Sequence, residues 1–163
     1  MNWERNFCIE DFIPMSKVYP QWWNTTLTIY NKYVDTQTDL VSWFRHTVDG
    51  CFWKYTGDKV SINQTVLETN NIIARIPENE KFLERYQWES LPNDEMDNYF
   101  TLSPQDIIIK GEVEDEVDEY SKGHRSTDLI EKYKRLQGCM EIEELSINVG
   151  GGRNNPHYYV KGI

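Results

Sequence analysis

The sequence is poor in cysteine, and its three cysteines, Cys8, Cys51 and Cys139, lie far apart. There is no CxxC pair, and His46, His124 and His157 never share a helical turn. That spacing excludes a zinc motif legible in the sequence and argues against a disulfide framework. It is the usage expected of free buried thiols in a reducing compartment. Long hydrophobic runs are also missing. The longest aliphatic run is 107–109, far too short to cross a bilayer. The opening MNWERNFCIEDF carries acids where a secretory signal has a basic start and an apolar centre.

Positive charge is scarce. Lys and Arg number 17 against 27 Asp and Glu, for a formal charge of −10. Such a chain is not expected to grip nucleic acid by neutralising phosphates, nor to adhere to an anionic membrane. GxSxG, P-loop and GxGxxG patterns are absent. Gly150-Gly151-Gly152 leads towards Pro156 and a β-rich ending rather than a helix N-terminus, so it lacks the physics of a phosphate cradle. The acidic run 112–119 has no internal glycine, which an EF-hand loop requires. No metal, cofactor or catalytic residue is therefore expected.

What the chain does have is aromatic and β-rich. Aromatics make up 13 % of its 163 residues, and Trp alone contributes 6. The mean hydropathy is nevertheless −0.70. The length is that of one domain, able to bury roughly two thirds of its unfolded surface. Residues 1–23 have no clean period and contain Pro14 and Pro20. They read as an N-terminal arm whose end Trp22 and Trp23 anchor; packing within the same domain is the alternative. Residues 24–163 read as a single domain.

Residues 25–33, TTLTIYNKY, alternate as a half-buried strand. Residues 42–48 and 51–55 are further β-rich runs, and Asp49-Gly50 between them predicts a hairpin turn. Residues 54–69 are polar, and 72–76, IIARI, form a short strand ended by Pro77. A short helix is predicted around 80–86. The strongest helix is 126–136, where Leu129, Ile130, Tyr133 and Leu136 make one stripe. Ser126 or Asp128 begins it, Glu131 follows Asp128 by three, and Gly138 suits the C′ position. Residues 139–149 alternate, with a change of phase that predicts a bulge at Glu143-Glu144. Residues 157–160 form the closing strand.

The stretch 106–120, DIIIKGEVEDEVDEY, sets an aliphatic run against dense acid. On a period of two, Ile107, Ile109, Gly111, Val113 and Val117 share one face. Ile108, Lys110, Glu112, Glu114, Glu116 and Asp118 share the other. The run reads as one strand, with Asp115 marking a bulge or the exit from the sheet. Its charged face looks either to bulk solvent or to an enclosed lumen.

The order of these motifs carries a resemblance. TLTIYNKY, GCFWK, IIARIP, SPQDIIIKG, RSTDLIEKYK, ELSINVG and NPHYYVKG follow one another along the chain. In that order they resemble the small head-closure, or stopper, proteins of long-tailed bacteriophages, also described as minor capsid or head–tail connector proteins. The likeness spans about residues 25–162; the arm and residues 78–98 lie outside it. It implies a mainly β fold: a small β-barrel with one short α-helix near the C-terminal third and a long loop between early strands. It implies copies of the chain in a six-fold ring, with portal and adaptor proteins above and tail proteins below. Such a ring sits in the virion neck, assembles in the host cytoplasm, and passes or retains double-stranded DNA without reading its sequence.

The resemblance also assigns residues. The channel plug would be Thr56, Gly57, Asp58, Lys59, Val60, Ser61, Ile62 and Asn63. The acidic residues Glu112, Glu114, Glu116 and Asp118 would suit a wall that does not hold DNA, because phosphates and carboxylates repel within a Debye length of about 8–10 Å. Trp3, Phe7, Phe12, Tyr19, Trp22 and Trp23 are candidate contacts to a neighbouring subunit or partner. Two other readings stay open: a monomeric β-barrel binding module for carbohydrate or a small ligand, and a hydrolase whose carboxylates meet only in the fold.

Overall fold

The computed structural model describes residues 18–136, 138–150 and 154–163, with the backbone alone over 58–62 and 66–70. The strands are β1 (Thr25–Val34), β2 (Val41–Ile62), β3 (Thr65–Pro77), β4 (Ile107–Lys110), β5 (Cys139–Asn148) and β6 (His157–Gly162). They close into an antiparallel barrel in the order β1-β2-β3-β6-β5-β4. Two helices, α1 (Arg85–Glu89) and α2 (Ser126–Leu136), and a 3-10 turn (Met96–Asn98) accompany it. The expected small barrel with one helix of any length near the C-terminal third is the fold observed.

Alternation along the strands fills the barrel. Leu27 and Ile29 of β1, Ala74 and Ile76 of β3, Met140 and Ile142 of β5 and Val160 of β6 all point inward and are buried. Phe100 and Leu102 complete this core from the segment before β4. Burying one such aliphatic side chain contributes roughly 1.5–3 kcal/mol, so the interior is the main source of stability.

A second apolar layer lies outside the barrel. Tyr30, Ile107, Ile109 and Cys139 face outward and are covered by Leu129 and Tyr133 of α2 and by Val113. The chain therefore buries both faces of β4, Ile108 toward the interior and Ile107 and Ile109 beneath α2. A strand covered on both sides reads as a continuous aliphatic run. Ile108, expected on the polar face, is in fact wholly buried. The helix ends as its sequence predicts: Gly138 has φ 110, and its N–H donates to the carbonyl of Tyr133.

Several expectations are corrected. Asp49-Gly50 is not a hairpin turn but a bend inside the continuous strand β2. Gly50 has φ 71, and the β1–β2 register slips there, between Thr25↔Cys51 and Leu27↔Val48. A glycine able to take that backbone lets one long strand leave β1 and continue along β3. The predicted long loop is not a loop: residues 56–62 continue β2 and pair with β3. The short helix lies at Arg85–Glu89 rather than 80–86. The acidic run is not a strand, because β4 stops at Lys110. The change of phase in β5 is where it was expected, with a slip between Ile142 and Glu144.

Candidate functional site

The longest feature is the hairpin of β2 and β3. Their register runs unbroken from Phe52↔Arg75 to Ile62↔Thr65. On one side β1 pairs with β2 only as far as Cys51. On the other, β6 pairs with β3 only from Ile72 onward. Beyond Tyr55 and Ile72 the two strands have only each other. At about 3.4 Å per residue this ribbon projects roughly 20 Å from the barrel. Its tip is Asn63-Gln64, with φ 50 and 67, the left-handed pair of a tight two-residue turn. Thr56 steadies the base, its hydroxyl donating to the carbonyl of Asn71 at 3.0 Å. Of the candidate plug residues, Thr56 to Ile62 lie on the outgoing strand and Asn63 at the exposed tip.

The acidic run lies as an extended rib across the outside of β1. The Gly111 N–H donates to the Thr26 carbonyl, the Val113 N–H to Thr28 Oγ1 at 3.0 Å, and the Tyr30 hydroxyl to the Asp115 carbonyl at 2.7 Å. Arg45 donates to the Val113 carbonyl at 3.0 Å and lies 3.5 Å from Glu116. Residues 112–118 still alternate in burial although they join no sheet. Val113 is buried and Val117 packs beneath the same layer, while Glu112, Glu114, Glu116 and Asp118 are exposed. Asp115, on the inward set, accepts from Lys132 Nζ at 2.8 Å and the Tyr133 hydroxyl at 3.0 Å. The hydrogen bond from Lys132 is the chief reason its carboxyl titrates below its ordinary value. The four acidic candidates thus stand on one line of one surface.

Trp3, Phe7 and Phe12, like Cys8, lie outside the described residues. The remaining arm candidates separate. Trp23 is buried, stacked on Tyr19 at 5.4 Å and edge-on to His157 at 5.4 Å. The Tyr19 hydroxyl donates to the Pro156 carbonyl at 2.6 Å. Trp22 is 68 % exposed. Residues 18–23 are therefore laid against their own barrel, with Trp22 left on its surface.

Sequence reasoning missed a buried polar hub. The Asp106 carboxylate, wholly buried, accepts from Asn31 Nδ2 at 2.9 Å, the Lys32 N–H at 2.9 Å, and the N–H and hydroxyl of Ser103 at 3.1 and 3.2 Å. Arg85 lies 3.5 Å away and also donates to the Lys32 carbonyl. Burial pushes the Asp106 carboxyl up to about 6, against the pull of these donors. The hub fastens residues 85–103 to β1, and beside it Trp88 packs fully buried against Phe44 and Tyr33. Ser103 is a local partner three residues before Asp106, but Asn31, Lys32 and Arg85 reach it only in the fold, so the sequence does not announce the whole hub.

The thiols of Cys51 and Cys139 are free and buried, and burial raises Cys139 to about 12. Burial lowers the His46 ring, which stacks on Phe100 at 4.9 Å. Among the described residues no group of three or more His, Cys, Asp or Glu is placed to hold a metal ion. A cleft of about 750 Å³ opens at the hairpin base between Trp53, Tyr55, Ile72, Lys134 and Ile163.

The model of a family of unknown function, DUF6751, matches residues 22–163. The chain belongs to that family. No curated protein and no solved structure matches it. The DUF6751 match takes in the whole barrel, the projecting hairpin, the rib and α2, and it begins at the exposed Trp22. The segment 78–98, foreign to the stopper pattern, falls inside it.

Proposed function

We propose that this chain is a non-catalytic structural protein of a bacteriophage neck. In this reading copies of it form a ring between portal or adaptor and tail, and the ring closes the DNA channel after packaging. The hairpin beyond Tyr55 and Ile72 carries the proposal. An isolated two-stranded ribbon is marginally stable in water, and its outer edges offer unpaired backbone groups. A closed barrel has no internal use for such an extension, whereas a ring can gather several hairpins over one opening. The hairpin replaces the plug loop implied by the resemblance, at the same sequence position.

The acidic rib fits the same role. Carboxylates on a conduit wall repel phosphate at short range and leave DNA free to move. The fold also favours one competing use. The cleft at the hairpin base has an aromatic wall and the Lys134 ammonium, which suits a small anionic ligand of a binding module.

Deleting residues 57–63 in the phage that encodes the chain tests the plug. Heads should fill and then leak DNA before tail attachment. Heads that stay sealed with the deletion in place would refute the role.

A further inference from the structure

Arg75 occupies an unusual position for a cation in so acidic a protein. It points outward from β3, and the register sets it opposite Phe52 of β2 and Tyr159 of β6. Its guanidinium lies 5.0 Å from the first ring centre and 5.7 Å from the second. It lines a cleft of about 410 Å³ together with Trp22, Asn148, Asn155 and His157. Arg45, Arg85 and Arg135 each have a carboxylate partner, at 3.5, 2.7 and 3.6 Å. Arg75 has no hydrogen-bond or carboxylate partner among the described residues. Five N–H donors in a fixed fork are thus presented to whatever enters.

The same chain carries a matching anion. Glu112 and Glu114 are exposed and unpaired among the described residues, on a rib already fixed by Thr28, Tyr30 and Arg45. Ordering that segment would cost little on binding. One molecule cannot bring the two surfaces together. The rib lies over β1 and the cleft over the β3–β6 seam, with β2 between them on one side and β4 and β5 on the other.

We infer that the Arg75 cleft receives the Glu112–Glu114 rib of a second copy. The contact is head to tail, each molecule offering its rib to one neighbour and its cleft to another. Repetition closes into a ring or continues as a filament, according to the rotation between copies. This deepens the ring reading above and rests on it: Glu112 and Glu114 face the neighbour, which leaves Glu116 and Asp118 of the same rib for the conduit wall. Arg75 recognises the carboxylates, and exposed Trp22 covers the stem of the incoming rib.

Sedimentation of the full chain at low salt tests the contact. Wild type should self-associate with rising concentration, and Arg75→Glu should weaken this roughly tenfold or more. Glu112→Arg with Glu114→Arg should weaken it similarly, at sites that touch neither core. Combining the reversals in one chain should restore association. A photo-crosslinker replacing Trp22 should capture residues 112–118 of another copy. A wild type that remains monomeric, an Arg75→Glu chain that associates normally, or capture of residues 1–17 instead would each overturn the contact. Arg75→Glu chains that still build normal rings on portal–adaptor complexes would remove this contact and leave the ring reading standing. Arg75-dependent association without any portal–adaptor binding would do the reverse.

Discussion

The carboxyl of Asp115, in the middle of the acidic rib, is held by Lys132 at 2.8 Å and by the Tyr133 hydroxyl at 3.0 Å, both from α2. The helix and the rib thus lock one another over the second apolar layer. Asp115→Ala should lower stability to urea by about 1 kcal/mol, the ordinary worth of such hydrogen bonds. Lys132→Ala should cost less, because solvent screens an exposed ion pair. Equal stability of Asp115→Ala and wild type would show that the rib is held by its apolar residues alone.

Asp106 gives a pH signature of definite sign. Its carboxyl titrates near 6 in the folded chain, against an ordinary value of 3.8. The folded state therefore holds this proton more tightly than the unfolded state. The resulting stabilisation is fully present below about pH 4 and is lost as pH rises through about 6. Wild type should gain on Asp106→Asn by up to about 3 kcal/mol as pH falls across that window. Urea unfolding of both chains at several pH values reads the difference; one that does not change with pH would contradict it.

Trp88 is the centre of the segment that the stopper pattern lacks. Its ring is fully buried, and its Nε1–H points to the carbonyls of Met96 and Tyr99 at 3.3 and 3.2 Å. Trp88→Ala should cost about 3–5 kcal/mol. Hydrogen exchange should show residues 80–100 losing protection before the barrel strands do.

The hairpin tip asks for residues that tolerate left-handed backbone. Gln64 sits at φ 67 without being glycine. Gln64→Gly should relieve strain and favour the turn by roughly 0.5–1 kcal/mol. Amide exchange over residues 56–71 should slow, while the melting temperature, set by the barrel, changes little. Faster exchange would mean that the turn is formed differently.

The barrel was legible where burial alternates along a strand, as in β6. The helix was legible from its stripe and from Gly138. The hairpin was not, because both of its faces leave the barrel and no core imposes an alternation on residues 56–71. Its turn, Asn63-Gln64, also lacks the glycine that marks most tight hairpins, whereas Asp49-Gly50 carries that mark and only bends a strand. The rib kept its two-residue period without being a strand, since packing under α2 imposes the same alternation as a sheet. Asp106 looked like the lead-in to a strand; Ser103 is its local partner three residues earlier, but nothing nearby in sequence reveals Asn31 and Arg85 around it.

Electron cryo-microscopy of the chain mixed with a bacteriophage portal–adaptor complex tests the proposed neck role most directly. A ring of barrels should appear, with residues 57–70 of each copy converging on the channel axis. Barrels whose hairpins point away from the axis, or a chain that never joins the complex and instead binds a small ligand at the hairpin base, would contradict it.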